Sequence, residues 1–144
     1  MVLRYFTVQD ALWAHFQIAK KVQDFDYKAL EQAVNAQYVL GDNGFDNLVA
    51  RATNIYNLFC STQPFPSCNS QLGFVLMAAF LKINGYDFVE QAEKQESLVT
   101  GNPNGLDATQ LKGWIQPVQG HEPVNFPSTV KGLVKTINGL QKTA

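Results

Sequence analysis

The side chains best suited to proton transfer, nucleophilic attack or soft-metal binding are few in this sequence: His15, His121, Cys60 and Cys68. A zinc or iron site needs several converging ligands, and neither histidine has a carboxylate at ligand spacing, so no metal or cofactor is expected. His15 falls on the apolar face of a helical pattern and reads as a buried or half-buried imidazole with its hydrogen bonds satisfied. His121 stands in a proline-rich connector and reads as solvated. Cys68 precedes a long apolar helix, where the helix N-terminus lowers a thiol pKa, but no histidine lies close in sequence to serve as its base. Two cysteines are too few for a disulfide framework and are expected as free thiols of a reducing compartment.

A short polar loop ahead of a long apolar helix is "QPFPSCNSQ", residues 63–71. Pro64 and Pro66 forbid helix until about Cys68. Unpaired backbone N–H groups at the start of the following helix, with the helix dipole, form a weak anion site. Asn69, Ser70 and Gln71 are its candidate ligand-binding side chains. A plainer reading needs no ligand: Asn69 and Ser70 cap the helix and Phe65 anchors the loop in the core. "GNPNG", residues 101–105, lacks the lysine and the preceding strand of a phosphate loop and reads as a turn. Trp13 and Trp114 read as core or groove residues.

The elements that must position this loop are helical. Thr7 with Asp10 makes a capping-box-like start, followed at spacings of three and four by Val8, Ala11, Leu12, His15, Phe16 and Ala19. A second helix begins near Asp26, carries Leu30, Ala33, Val34 and Tyr38, and stops at "LGDNG". A third, after Asp46, presents Leu48, Ala52, Ile55, Tyr56 and Phe59. From Leu72 to Ile83 almost every residue is apolar, as for a helix surrounded by others, and Gly85 ends it. Phe88 to Leu98 predicts a shorter helix. Asp107 caps another carrying Leu111, Trp114 and Ile115. "QPVQGHEPVNFP" connects this to a last helix capped by Ser128, with Val130, Leu133, Val134, Ile137 and Leu140 on one face. No alternating stretch argues for a sheet, so the expected class is all-α: a single-domain bundle of about six or seven helices around the buried one at 69–84.

Eleven basic against twelve acidic residues among 144 give a net charge of -1 with no block of like charge, which excludes an electrostatic footprint for nucleic acid or anionic lipid. The apolar run Leu72 to Ile83 is too short to span a bilayer, and the N-terminus lacks the pattern of a signal peptide. A cytoplasmic protein is expected.

The N-terminal "LRYFTVQDALWAH", the "YKALEQAV" helix and the "PF…N…FLKINGY" core together resemble the Fic/Doc family, over roughly residues 3–117. In that family a loop of pattern H-x-F-x-[DE]-[GA]-N-[GK]-R precedes a central helix, and members transfer AMP, phosphate or a related group from a nucleotide to a protein hydroxyl. The resemblance puts the histidine at Gln63, the phenylalanine at Phe65, the acidic residue at Ser67, the small residue at Cys68 and the asparagine at Asn69. Ser70 follows, and the arginine falls at Gln71. Only Phe65 and Asn69 match. A glutamine amide cannot act as a base near neutral pH, a neutral serine is a poor ligand for the Mg²⁺ that bridges the phosphates, and Gln71 has no charge with which to clamp phosphate. "STVKGLVKTINGL" contains no acidic residue, so the inhibitory [ST]-x-x-x-E-[GN] helix of some members is also missing.

The resemblance thus implies a degenerate Fic/Doc-like helical domain at 1–118; outside it lie a connector at 119–127 and a C-terminal amphipathic helix at 128–144, expected to pack on the same domain because an exposed stripe of that size would be an aggregation liability. The expected function is that of a pseudoenzyme acting through a protein partner, which the Doc branch suggests is antitoxin-like. The alternatives are a toxin-module-type transferase with a non-standard active site, and a small-ligand binder using the neutral pocket around Gln63, Asn69 and Gln71.

Overall fold

A computed structural model describes residues 3–38, 44–88, 92–101, 105–118 and 125–142. Seven helices occur among them: α1 (Val8–Ala19), α2 (Tyr27–Asn35), α3 (Phe45–Thr62), α4 (Asn69–Ile83), α5 (Ala92–Thr100), α6 (Ala108–Trp114) and α7 (Phe126–Lys142). The starts follow from local chemistry. Thr7 Oγ1 accepts from the Asp10 N–H at 3.1 Å while the Asp10 carboxylate accepts from the Thr7 N–H at 2.9 Å, closing the capping box. Asp26 accepts from the Ala29 N–H, and Asp107 from the Thr109 N–H.

All ten residues from Leu72 to Leu81 are buried, because α4 is enclosed by α1, α3, α5 and α7. The closest approach is to α3. A Cβ placed on Gly73 would lie 3.0 Å from Phe59 Cβ and 3.3 Å from the Tyr56 carbonyl oxygen, so the absence of a side chain there lets the two helices meet. On α7, Val130, Val134 and Ile137 are buried, and the helix packs on α4. Burying three such side chains favours the packed state by about 5–9 kcal/mol before ordering costs.

The structure corrects several expectations. A small antiparallel sheet is present: β1 (Tyr86–Phe88) pairs with β2 (Ile115–Pro117), with Tyr86 opposite Pro117 and Phe88 opposite Ile115. Phe88 therefore belongs to a strand, α5 starts only at Ala92, and Ile115 leaves α6 for β2. The short path out of α4 through Gly85, at φ +96°, directs Tyr86 back along the bundle and makes this pairing possible. Tyr38 lies beyond the end of α2 and is exposed, its ring tilted by 39° against that of Tyr5 with centroids 4.7 Å apart. The last helix begins at Phe126, not after Ser128: Asn125 Oδ1 accepts from the Ser128 N–H at 2.9 Å, and Pro127 occupies the first turn, where its missing N–H costs nothing. His121 and most of the connector fall outside the described residues, as does the side chain of Leu140.

Segments between helices are fastened by side-chain amides that each grip both backbone groups of one residue. Gln37 takes the N–H and C=O of Phe6, Asn84 those of Arg4, and Asn57 those of Leu106, at 2.6–3.0 Å. Each amide offers one acceptor and one donor, which is what a peptide unit outside a helix or ladder lacks. A fourth clasp of this kind lies in the candidate site.

Candidate functional site

The loop between α3 and α4 is held in place at both ends by residues in the left-handed region. Gln63 ends α3 at φ +46°, its N–H donating to the Phe59 carbonyl, and its side chain is exposed. Cys68 precedes α4 at φ +68° and is half-buried. Between them the Pro64 carbonyl accepts from the Asp26 N–H at 2.8 Å, so the start of α2 supports the loop.

Asn69 does not cap α4. Its Oδ1 accepts from the Phe65 N–H at 3.0 Å and its Nδ2 donates to the Phe65 carbonyl at 2.7 Å, closing the loop on itself. The side chain is turned back because Cys68, in the left-handed conformation, occupies the capping position and makes no side-chain cap bond. Ser67 is also engaged, its hydroxyl 2.9 Å from Nε2 and 3.3 Å from Oε1 of Gln23. Ser70 Oγ lies 3.9 Å from the Cys60 sulfur, and Gln71 is half-buried. Burial pushes the Cys60 thiol up, against hydrogen bonds to Tyr56 and Ser70 that lower it, so it is protonated at neutral pH. Both thiols are free.

His15 is brought to this loop by α1. Its ring stacks on Phe65 at 3.7 Å between centroids and 9° between planes, and its Nε2 lies 3.2 Å from the Ser67 carbonyl. A carbonyl oxygen only accepts, so Nε2 carries the proton of this hydrogen bond. Burial lowers its pKa, partly opposed by this same backbone hydrogen bond. The imidazole is thus a buried, satisfied group, and Phe65 is the core anchor of the loop at 4 % exposure. Among the described residues no three His, Cys, Asp or Glu side chains converge as metal ligands.

The polar groups at the family's motif positions do not fit a nucleotide with Mg²⁺. The Ser67 hydroxyl and both ends of the Asn69 amide are occupied within the protein, and the histidine present is stacked and bonded through Nε2 to the main chain. A base for a hydroxyl nucleophile and a charged phosphate clamp are both absent from Gln63 to Gln71.

What the sequence reading missed lies beside the loop. Phe16, read as part of the apolar face of α1, is 45 % exposed; Val22 and Phe25, in the link to α2, are 88 % and 40 % exposed. Ala14 takes the place in the core that the pattern gave to Phe16. Under these side chains is a cavity of about 330 Å³, lined also by Trp13, His15 and Phe65. Lys20, in the left-handed region at φ +63°, ends α1 and turns Val22 outward into this face. Of the two readings of Trp13, core or groove, the groove is the one found. None of the described helices is long and apolar enough to cross a membrane.

Comparison with protein-family models, with curated proteins and with solved structures finds no match to this chain.

Proposed function

We propose that this chain is a protein-binding module, a helical bundle similar to the Fic/Doc fold that works without nucleotidyl or phosphoryl transfer. The observation that carries the reading is the exposed apolar face of Phe16, Val22 and Phe25 beside a loop whose own polar groups are bonded internally. Exposed apolar side chains grouped in this way are characteristic of surfaces that a partner covers. The likeness to the family rests on the quoted sequence segments, and the loop's chemistry supports loss of activity rather than a variant of it. The free thiols Cys60 and Cys68 support the cytoplasm as its location.

The test has two arms. A photo-crosslinking residue at position 22 should capture a protein partner in cells of the source organism, while the same residue at Thr136, exposed on α7, should not. Incubation of the chain with labelled ATP and a lysate should give no chain-dependent label on protein. Chain-dependent label, or equal capture from both positions, overturns the reading.

A further inference from the structure

The cavity beneath Phe16, Val22 and Phe25 has a composition that a docking face alone does not require. Its walls are aromatic: Trp13, Phe16, Phe25 and Phe65 line it, with the Phe25 ring 5.7 Å from that of Phe65 and the Phe65 ring backed by His15. About 330 Å³ stands at the lower end of the range for small-molecule sites, with room for one or two fused rings. One cation lines it, Lys21, and no carboxylate does. The ion pairs among the described residues are Lys82 with Asp87 and Lys112 with Asp46, so the Lys21 ammonium is not engaged by an acid there.

We infer that this cavity is a binding site for a small planar aromatic carboxylate, its ring between Trp13, Phe16, Phe25 and Phe65 and its carboxylate on Lys21. Aromatic walls favour a flat apolar body, because aromatic rings pack on one another in offset or edge-on geometries. The sign of the polar end is set by Lys21, which would repel the cationic ligands that aromatic cages otherwise take. His15 backs the Phe65 ring with its Nε2–H committed to the Ser67 carbonyl, and its burial favours the neutral form. Gln23 lines the same cavity with an amide that already meets Ser67, which fixes it as a neutral part of the wall. The inference goes beyond the docking reading and does not rest on it, since a ligand can enter this cavity in the isolated chain.

The test titrates the full chain with 2-naphthoate and with its neutral analogue 2-naphthalenemethanol, followed by amide and indole NMR shifts. Saturable shifts should gather at Trp13, Phe16, Val22, Phe25 and Phe65, and the neutral analogue should bind roughly fivefold more weakly, the ratio one partly exposed ion pair supplies. Lys21→Gln, an exposed position whose change leaves the helices intact, should abolish that preference while retaining the neutral ligand. Absence of saturable shifts with 2-naphthoate, equal binding of both compounds to the unmodified chain, or a preference that survives Lys21→Gln each overturns the inference. Any of these results leaves capture from position 22 unaffected, so the two readings fail separately.

Discussion

Replacing Asn69 by alanine removes one side-chain amide and two hydrogen bonds at once, to the N–H and the carbonyl of Phe65. A net contribution of about 0.5–1.5 kcal/mol per bond gives a loss of roughly 1–3 kcal/mol, toward the upper end because Phe65 is buried and its backbone groups would find water only by opening the loop. For 144 residues the entropy of unfolding is about 300 cal/mol/K, so this loss lowers Tm by roughly 3–10 °C. Asn69→Asp keeps the acceptor and loses the donor. Its carboxylate faces the Phe65 carbonyl, while its charge at the first turn of α4 regains about 0.3–1 kcal/mol from the helix dipole, so its Tm should fall between the other two. Thermal melts measured by circular dichroism give the ranking, and hydrogen exchange of the Phe65 amide locates the effect. A melt of Asn69→Ala within about 1 °C of the unmodified chain, with Phe65 exchange unchanged, would refute the assignment of Asn69 as the closure of the loop.

Gly73→Ala should destabilise by about 1–2 kcal/mol in denaturant melts, the crowding against Phe59 and the Tyr56 carbonyl exceeding the roughly 1 kcal/mol that alanine gains in helix propensity; a stabilised variant would show that α3 can yield. Truncation before Asn125 should cost several kcal/mol or leave an unfolded chain by circular dichroism, because Val130, Val134 and Ile137 are buried; an unchanged Tm would mean that α7 contributes nothing to the bundle. His15 has a folded-state pKa below its unfolded value, so the unfolded chain binds the extra proton first, and the stability His15 confers is complete above the unfolded value near 6.5 and is lost as pH falls below it toward the folded pKa. Between pH 7.5 and 5 the unmodified chain should therefore lose more Tm than His15→Gln does, and equal losses would exclude His15 as the titrating group.

Helix positions were legible wherever local chemistry decides them. The capping residues Thr7, Asp26 and Asp107 and the unbroken apolar run of α4 needed no tertiary information. The strand pair was not legible, since Tyr86–Phe88 and Ile115–Pro117 are three residues each and pair across a wide separation that no periodicity reports. The start of α7 was written in the sequence as Asn125 two residues before Pro127, a cap followed by a first-turn proline, but the eye falls on the serine after the proline. At the site, the apolar spacing that brings His15 and Ala11 to the core was sound. It assigned Phe16 wrongly because a helical stripe has an edge, and which edge residue is covered depends on the neighbour packed there. Asn69 was legible as a polar residue at a helix start. Its turn back to Phe65 follows from the backbone at Cys68, a conformation that sequence seldom announces for a residue other than glycine.

The clasp formed by Asn84 also bears on how the protein ages. Asn84 is followed by Gly85, a pairing in which the next backbone nitrogen attacks the side-chain amide with little hindrance, giving a cyclic imide and then aspartate or isoaspartate with loss of ammonia. In the fold this amide is buried and bonded to the Arg4 N–H, the Arg4 carbonyl and the Phe80 carbonyl, while the Gly85 N–H donates to the Lys82 carbonyl. Both reacting groups are therefore held while the bundle is intact and released when it opens. Once converted, the position presents an anion to two carbonyl oxygens that the amide had served as donor, and the N-terminal segment loses its fastening. Each excursion to the open state thus carries a chance of a chemical change at Asn84 that makes the next one more frequent, so the rate at which this one Asn-Gly pair is lost in stored protein is tied to conformational stability.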